Sequence, residues 1–258
     1  MRLNIVPART GVQWAKLGVQ TFFRQPLALT GLFFLYIAAA AIVSLLPFIG
    51  PFLALAIVPA ATLGLMAATQ EVLKGRFPMP TVLVSGLRAG RHRLRAMALL
   101  GALYAAGCLA VMLLAQLLVE VPPAEGEGSV MLTPQYQLSM LVTMTLYLPV
   151  SLMFWHAPAL VHWHGVTPVK SLFFSTVACL RNWRALTLFA LAWMALLMAA
   201  SMLVVLLGVV TSSPRMAGVA MMPLALLCTA IFSSSIYFTF RDSFVADGAD
   251  EPADQEPA

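Results

Sequence analysis

Charge is what this sequence has least of. Only 10% of its 258 residues are Asp, Glu, Lys or Arg, against about 25% in an ordinary soluble domain. The chain is also 61% hydrophobic, with a mean hydropathy of +0.90. That balance excludes a water-facing globule and defines a polytopic membrane protein. Cysteine is scarcer still, with three residues. Cys108 and Cys228 fall inside apolar runs, Cys179 lies in a basic segment, and there is no C-x-x-C. Neither an exported disulfide framework nor a thiol redox motif is expected.

The few ionisable residues avoid the apolar stretches. Six runs, about 27–46, 52–70, 96–119, 137–155, 185–210 and 217–240, contain no Asp, Glu, Lys, Arg or His. Each is close to the ~20 residues that cross a bilayer core as a helix. Intramembrane ionisable groups mark proton relays and ion-coupled sites, so their absence counts against a pump. It also counts against a carboxylate–metal membrane enzyme and an intramembrane protease. No Walker A, H-E-x-x-H or dinucleotide-type glycine pattern occurs. We expect a protein that is not an enzyme, with no catalytic residue, no cofactor and no metal.

What is present is topology. With the N-terminus in the cytoplasm, fourteen of the fifteen Lys and Arg fall inside, and only Arg215 falls outside. The positive-inside rule then puts both termini in the cytoplasm. The expected fold is all-α: a single six-helix transmembrane domain over 1–242, with interfacial amphipathic helices on the cytoplasmic side. An acidic, disordered tail over 243–258 completes it. The first apolar run starts only at Leu27, behind a basic segment, and continues into a second span, so it reads as a retained helix. The loop 120–136 on the outer side carries Glu120, Glu125 and Glu127 and no cation. Pro59, Pro149 and Pro223 lie inside spans as expected kinks.

Three cytoplasmic segments carry the remaining signals. In the first, Gln13, Lys16, Gln20 and Arg24 form a polar stripe opposite Val12, Ala15, Val19 and Phe22. That pattern suits a helix lying in the interface, with Trp14 at the headgroups. In the second, over 75–95, Arg88, Arg91, Arg93 and Arg95 cluster beside His92. The third, Trp155–Trp183, holds three of the four histidines and three of the five tryptophans, and breaks at Gly165 and Pro168. The candidate lipid or interface contacts are Trp14, Arg88, Arg91, Arg93, Arg95, Trp163, Lys170, Arg181, Trp183 and Arg184. Anionic headgroups would attract the cations, although topology alone also accounts for them. His156, His162 and His164 do not have an established metal spacing. Their tryptophan neighbours favour helix anchoring. In a eukaryote Cys179 would be a candidate for palmitoylation, though nothing else in the sequence points that way.

The segments share a layout: a proline (Pro7, Pro80, Pro168), an amphipathic stretch ending in Arg (Arg24, Arg95, Arg184), then an apolar hairpin. Three parallel repeats would produce it, and so would the common demands on any positive-inside hairpin. Gly101/Ala105 and Ala102/Ala106 offer two small-xxx-small faces for close helix approach.

Two stretches carry a resemblance. Ala157-Pro158-Ala159-Leu160-Val161, then Pro168-Val169-Lys170-Ser171-Leu172, Ser175 and Asn182-Trp183, resembles the corresponding loop of six-span bacterial inner-membrane proteins of the YciC-like kind. The start, Val6-Pro7-Ala8-Arg9-x-Gly11-x-x-Trp14, looks like a related bacterial membrane family. The resemblance implies the bacterial cytoplasmic membrane and six spans, and it supplies no activity. The expected role is envelope organisation or assembly, or lipid-facing scaffolding. The alternative is a transporter or channel for a small or lipidic solute. Expected partners are membrane lipids, with anionic headgroups among the candidates, and a membrane protein or a second copy of the chain, with no nucleic acid.

Overall fold

The computed structural model describes residues 2–119 and 133–245. Glu120, Glu125 and Glu127 lie outside the described residues, as does the tail beyond Val245. The described chain is helical, and the element order follows the apolar runs. Strand β1 (Arg2–Leu3) leads into α1 (Thr10–Phe22), α2 (Pro26–Ser44) and α3 (Gly50–Leu73). A 3-10 turn at Pro80–Val84 precedes α4 (Ser85–Arg88), α5 (Arg91–Leu118) and α6 (Pro134–Phe154). Then come α7 (Ala157–His164), α8 (Pro168–Arg181), α9 (Trp183–Val210), α10 (Pro214–Ser243) and β2 (Phe244–Val245). Six helices are long and apolar enough to cross a membrane, and the fold is an all-α polytopic bundle. The helices continue through Pro59, Pro149 and Pro223, which membrane helices accommodate by local readjustment of the freed backbone groups.

The helix bounds differ from the apolar runs at the basic ends. Arg91, Arg93 and Arg95 were assigned to a separate interfacial segment, but they form the first turns of α5. Likewise Trp183 and Arg184 open α9. The cause is length. At 1.5 Å per residue, 28 residues make a helix of about 42 Å, longer than a hydrocarbon core of about 30 Å. The extra turns carry charge past the apolar stretch.

Contacts divide the chain into two compact units. The first comprises 1–31, 66–78 and 180–258. In it α1 packs against both α9 and α10, which neighbour each other. The contact is possible because α1 turns its small residues inward. A side chain at Gly11 would collide with the Ala185 carbonyl, and one at Gly18 with Ser235. Trp14, between them, is 0% exposed, with its ring edge-on to Phe189 at 6.2 Å. The expected polar stripe, Gln13, Lys16, Gln20 and Arg24, is exposed, and it is the place of Trp14 that is corrected. The buried stripe of α1 is Gly11, Trp14, Gly18, Thr21 and Phe22, while Val12 is half exposed. Trp14 is a packing residue and does not reach the headgroups. Close helix approach sets where this face meets its neighbours.

The first unit also overturns the expected start of the tail. Ser243 and Phe244 are buried, and Leu3 pairs with Phe244 and Arg2 with Val245 in an antiparallel β1–β2 pair. The chain stays ordered through 245 because this pairing satisfies backbone groups just past the end of α10.

The second unit comprises 32–65 and 79–179. Its core is Ala60, Leu63, Met97, Leu100, Ala157, Val161 and Leu172, with Trp163 packed against it. Of the two small-residue faces of α5, the structure uses Gly101 and Ala105. A side chain at Gly101 would strike the Ala56 carbonyl, and Ala105 is buried whereas Ala102 and Ala106 are exposed. Tyr104 on α5 and Tyr147 on α6 join hydroxyls at 2.7 Å.

Candidate functional site

Two clusters of polar side chains at helix ends stand out. One lies where α8 meets α9. Asn182 is 2% exposed. Its Oδ1 accepts from the Val6 N–H at 2.9 Å, and its Nδ2 donates to the Asn4 carbonyl at 3.0 Å and to Ser243 Oγ at 3.3 Å. Asn4 Nδ2 donates to the Asp242 carbonyl at 2.9 Å, and Trp14 Nε1 donates to the Asp242 carboxylate at 2.8 Å. One amide thus binds the start of the chain, the end of α10 and the head of α9 together. Asn182 was not among the predicted site residues. The Asn-Trp pair in the third segment was its only signal.

The other cluster closes the break between α6 and α7. The helix hydrogen bonding is interrupted at Trp155 and His156, although both keep right-handed helical dihedrals, and the interruption frees backbone groups that a buried helix end must satisfy. Ser175 of α8 supplies both partners: its Oγ donates to the Leu152 carbonyl at 2.8 Å and accepts from the His156 N–H at 2.9 Å. Cys179 Sγ lies 3.8 Å from His156 Nδ1. Serine, histidine and cysteine are ingredients of nucleophilic catalysis, but the geometry differs. The Ser175 hydroxyl is directed to a carbonyl and not to the imidazole, so nothing activates it. Burial pushes the Cys179 thiol up to about 12, which keeps it protonated at neutral pH. At 1% exposure it is also closed to an acylating enzyme, which corrects the acylation reading. His156 faces this cluster, whereas His162 and His164 belong to α7, whose left-handed cap is Gly165. Among the described residues no group of three or more His, Cys, Asp or Glu could hold a metal.

The predicted contact residues divide clearly. Arg88, Arg91, Arg95, Lys170, Arg181, Trp183 and Arg184 are exposed, Arg93 and Trp163 are half-buried, and Trp14 is sealed. The Arg184 guanidinium sits over the Trp183 ring at 5.5 Å. The most informative element is α8. It buries Pro168, Ser171, Leu172, Ser175, Ala178 and Cys179. It exposes Val169, Phe173 at 63%, Phe174 and Leu180, with Lys170 and Arg181 beside them. The small and polar side faces the protein, and the large apolar side faces away from it, between cations.

These features define the class: a multi-pass α-helical membrane protein with short basic helices between its spans. No family model matches the chain, and no solved structure matches it. The chain is similar to a probable inner membrane protein of Burkholderia thailandensis, 37% identical over 98% of this chain and 96% of that protein. Similarity of that extent shows kinship from end to end, and the chain belongs to the family of that protein.

Proposed function

We propose that this is a non-enzymatic protein of the bacterial inner membrane, with both termini in the cytoplasm and a YciC-like layout of six spans. It acts as a lipid-facing scaffold in envelope organisation or assembly. The observation that carries this reading is the reversed polarity of α8: Val169, Phe173, Phe174 and Leu180 project outward between exposed Lys170 and Arg181. An apolar stripe flanked by cations inserts at the acyl boundary and holds anionic headgroups, each cation contributing about 1 kcal/mol. Arg88, Arg91, Arg93, Arg95 and Arg184 are further cations available to such headgroups. Headgroup analysis of lipid carried by the purified protein tests it. The wild type is expected to enrich anionic lipid over the bulk membrane, and Lys170→Glu with Arg181→Glu to lose part of that enrichment. Equal lipid composition in the two proteins would refute it.

A second reading, transport of a lipidic solute, is favoured by one observation. A groove of about 600 Å³ opens between α9 and α10, lined almost wholly by apolar side chains such as Leu197, Met198 and Leu224. A lipid-scrambling assay in proteoliposomes separates it from scaffolding, since a scaffold leaves the rate at that of empty vesicles.

A further inference from the structure

The same groove has a further property that concerns static binding and is independent of the scaffold reading. The pair α9–α10 already holds one occupant. α1 lies against both helices through Gly11 and Gly18, whose bare α-carbons meet the α9 and α10 backbones. α1 runs back along α10, since Trp14 reaches Asp242 while Gly18 abuts Ser235. Phe232 then marks the limit of this filled part: it packs on Phe189 at 5.6 Å and on Trp193 at 5.3 Å. Beyond that aromatic stack the groove continues, empty, to Ser201 and Met221.

We propose that the empty part is a binding site for one acyl chain of a phospholipid, whose headgroup lies toward Arg215. Three observations select this occupant. The first is the lining. Where a helix docks, the groove meets glycine; the empty part is walled by Met194, Leu197, Met198 and Met221. Long side chains prevent close backbone approach, and the three unbranched methionines among them adapt to a flexible chain. The second is size. From Met221 to Phe232 the groove follows eleven residues of helix, about 16 Å, which is the depth of one leaflet of a hydrocarbon core about 30 Å thick. The volume, about 600 Å³, is that of a ligand site and far short of a second helix. The third is charge. Arg215 is exposed in the first turn of α10, six residues or about 9 Å from Met221, and can meet a phosphate. The opposite end is closed by the aromatic stack, so the chain enters from the Arg215 side. Both hydroxyls in the lining are spent, since Ser201 Oγ donates to the Leu197 carbonyl at 2.8 Å and Thr229 Oγ1 to the Ala225 carbonyl at 2.8 Å, while the buried indole N–H of Trp193 has no partner among the described residues.

Trp193 lines the groove and serves as the reporter. The full chain is reconstituted in nanodiscs of ordinary phospholipid or of phospholipid brominated along its acyl chains, a contact quencher of indole. The emission of Trp193 is taken as wild type minus Trp193→Phe. It is expected to be lost in brominated lipid, and to return when Ala225→Phe fills the groove. Val219→Phe, at an exposed position of α10 outside the groove, is expected to leave the quenching intact. Native mass spectrometry of the wild type is expected to show one retained phospholipid per chain, with less retained in Arg215→Gln. Undiminished Trp193 emission in brominated lipid would overturn the proposal, and so would a dimer whose Trp193 is unquenched, which would assign the groove to a second copy. Should Ala225→Phe fail to insert, Leu197→Phe fills the same space. Quenching unchanged in the filled variant would overturn the proposal.

Discussion

Asn182 bears the largest calculable consequence of a single substitution. Replacement by alanine deletes three hydrogen bonds, to Val6, Asn4 and Ser243, at a side chain that is 2% exposed. Each bond contributes about 0.5–1.5 kcal/mol net, and a buried partner left unpaired costs about 1–3 kcal/mol. A loss of about 2–4 kcal/mol is therefore expected. At ~2–4 °C per kcal/mol for a chain of this size, the midpoint of thermal unfolding in a fixed detergent should fall by roughly 4–16 °C. Asn182→Asp is the sharper test. It has the same shape and still accepts from Val6, but its second oxygen faces the Asn4 carbonyl, acceptor against acceptor, and it brings a charge into a buried site. It should be at least as damaging as alanine, and in both variants limited proteolysis should release the N-terminal residues first. Wild-type stability in Asn182→Ala, or an aspartate variant more stable than the alanine one, would refute the reasoning.

Other expectations follow from the same contacts. Ser175→Ala leaves both the Leu152 carbonyl and the His156 N–H without their shared partner, and should lower unfolding stability by about 1–3 kcal/mol; an unchanged midpoint would show that the helix break does not need it. A chain ending at Val245 should match the full chain in insertion and stability. One ending at Arg241 loses Asp242, Ser243 and Phe244, and with them the partners of Trp14 and Leu3, so it should insert but be cut more readily at its N-terminus. Tyr104→Phe removes a single interhelical hydroxyl contact and should cost only about 0.6 kcal/mol in a membrane-like solvent, read by unfolding in bicelles; a loss above about 2 kcal/mol would assign the pair a larger role.

Span number and helical class were legible because the lipid core demands the same thing of every segment that crosses it: length and low charge. The Gly101/Ala105 face was legible as one of two. What the sequence did not reveal follows from packing that hydropathy does not encode. In α1 the hydropathic stripe centred on Val12, Val19 and Phe22 suggested one buried face. Phe22 is buried and the polar stripe is exposed, but Gly11 and Gly18 centre the contact on Trp14, because close backbone approach sets where helices meet. The roles of Asn182 and Ser175 depend on segments 176 and 23 residues away along the chain, beyond any local pattern. The basic residues were found as residues, but Arg91, Arg93, Arg95 and Arg184 were misassigned to separate segments because charge ends an apolar run without ending a helix.

The central claim is that α8 turns its apolar face to lipid at the boundary, and site-directed spin labelling tests it most directly. A nitroxide at position 173 in reconstituted protein should be accessible to oxygen and shielded from a water-soluble nickel complex. One at 170 should be accessible to the nickel complex, and one at 171, on the buried side, to neither. High nickel accessibility at 173 would place the face in water, and inaccessibility to both reagents would place it against protein. Either result would contradict the account.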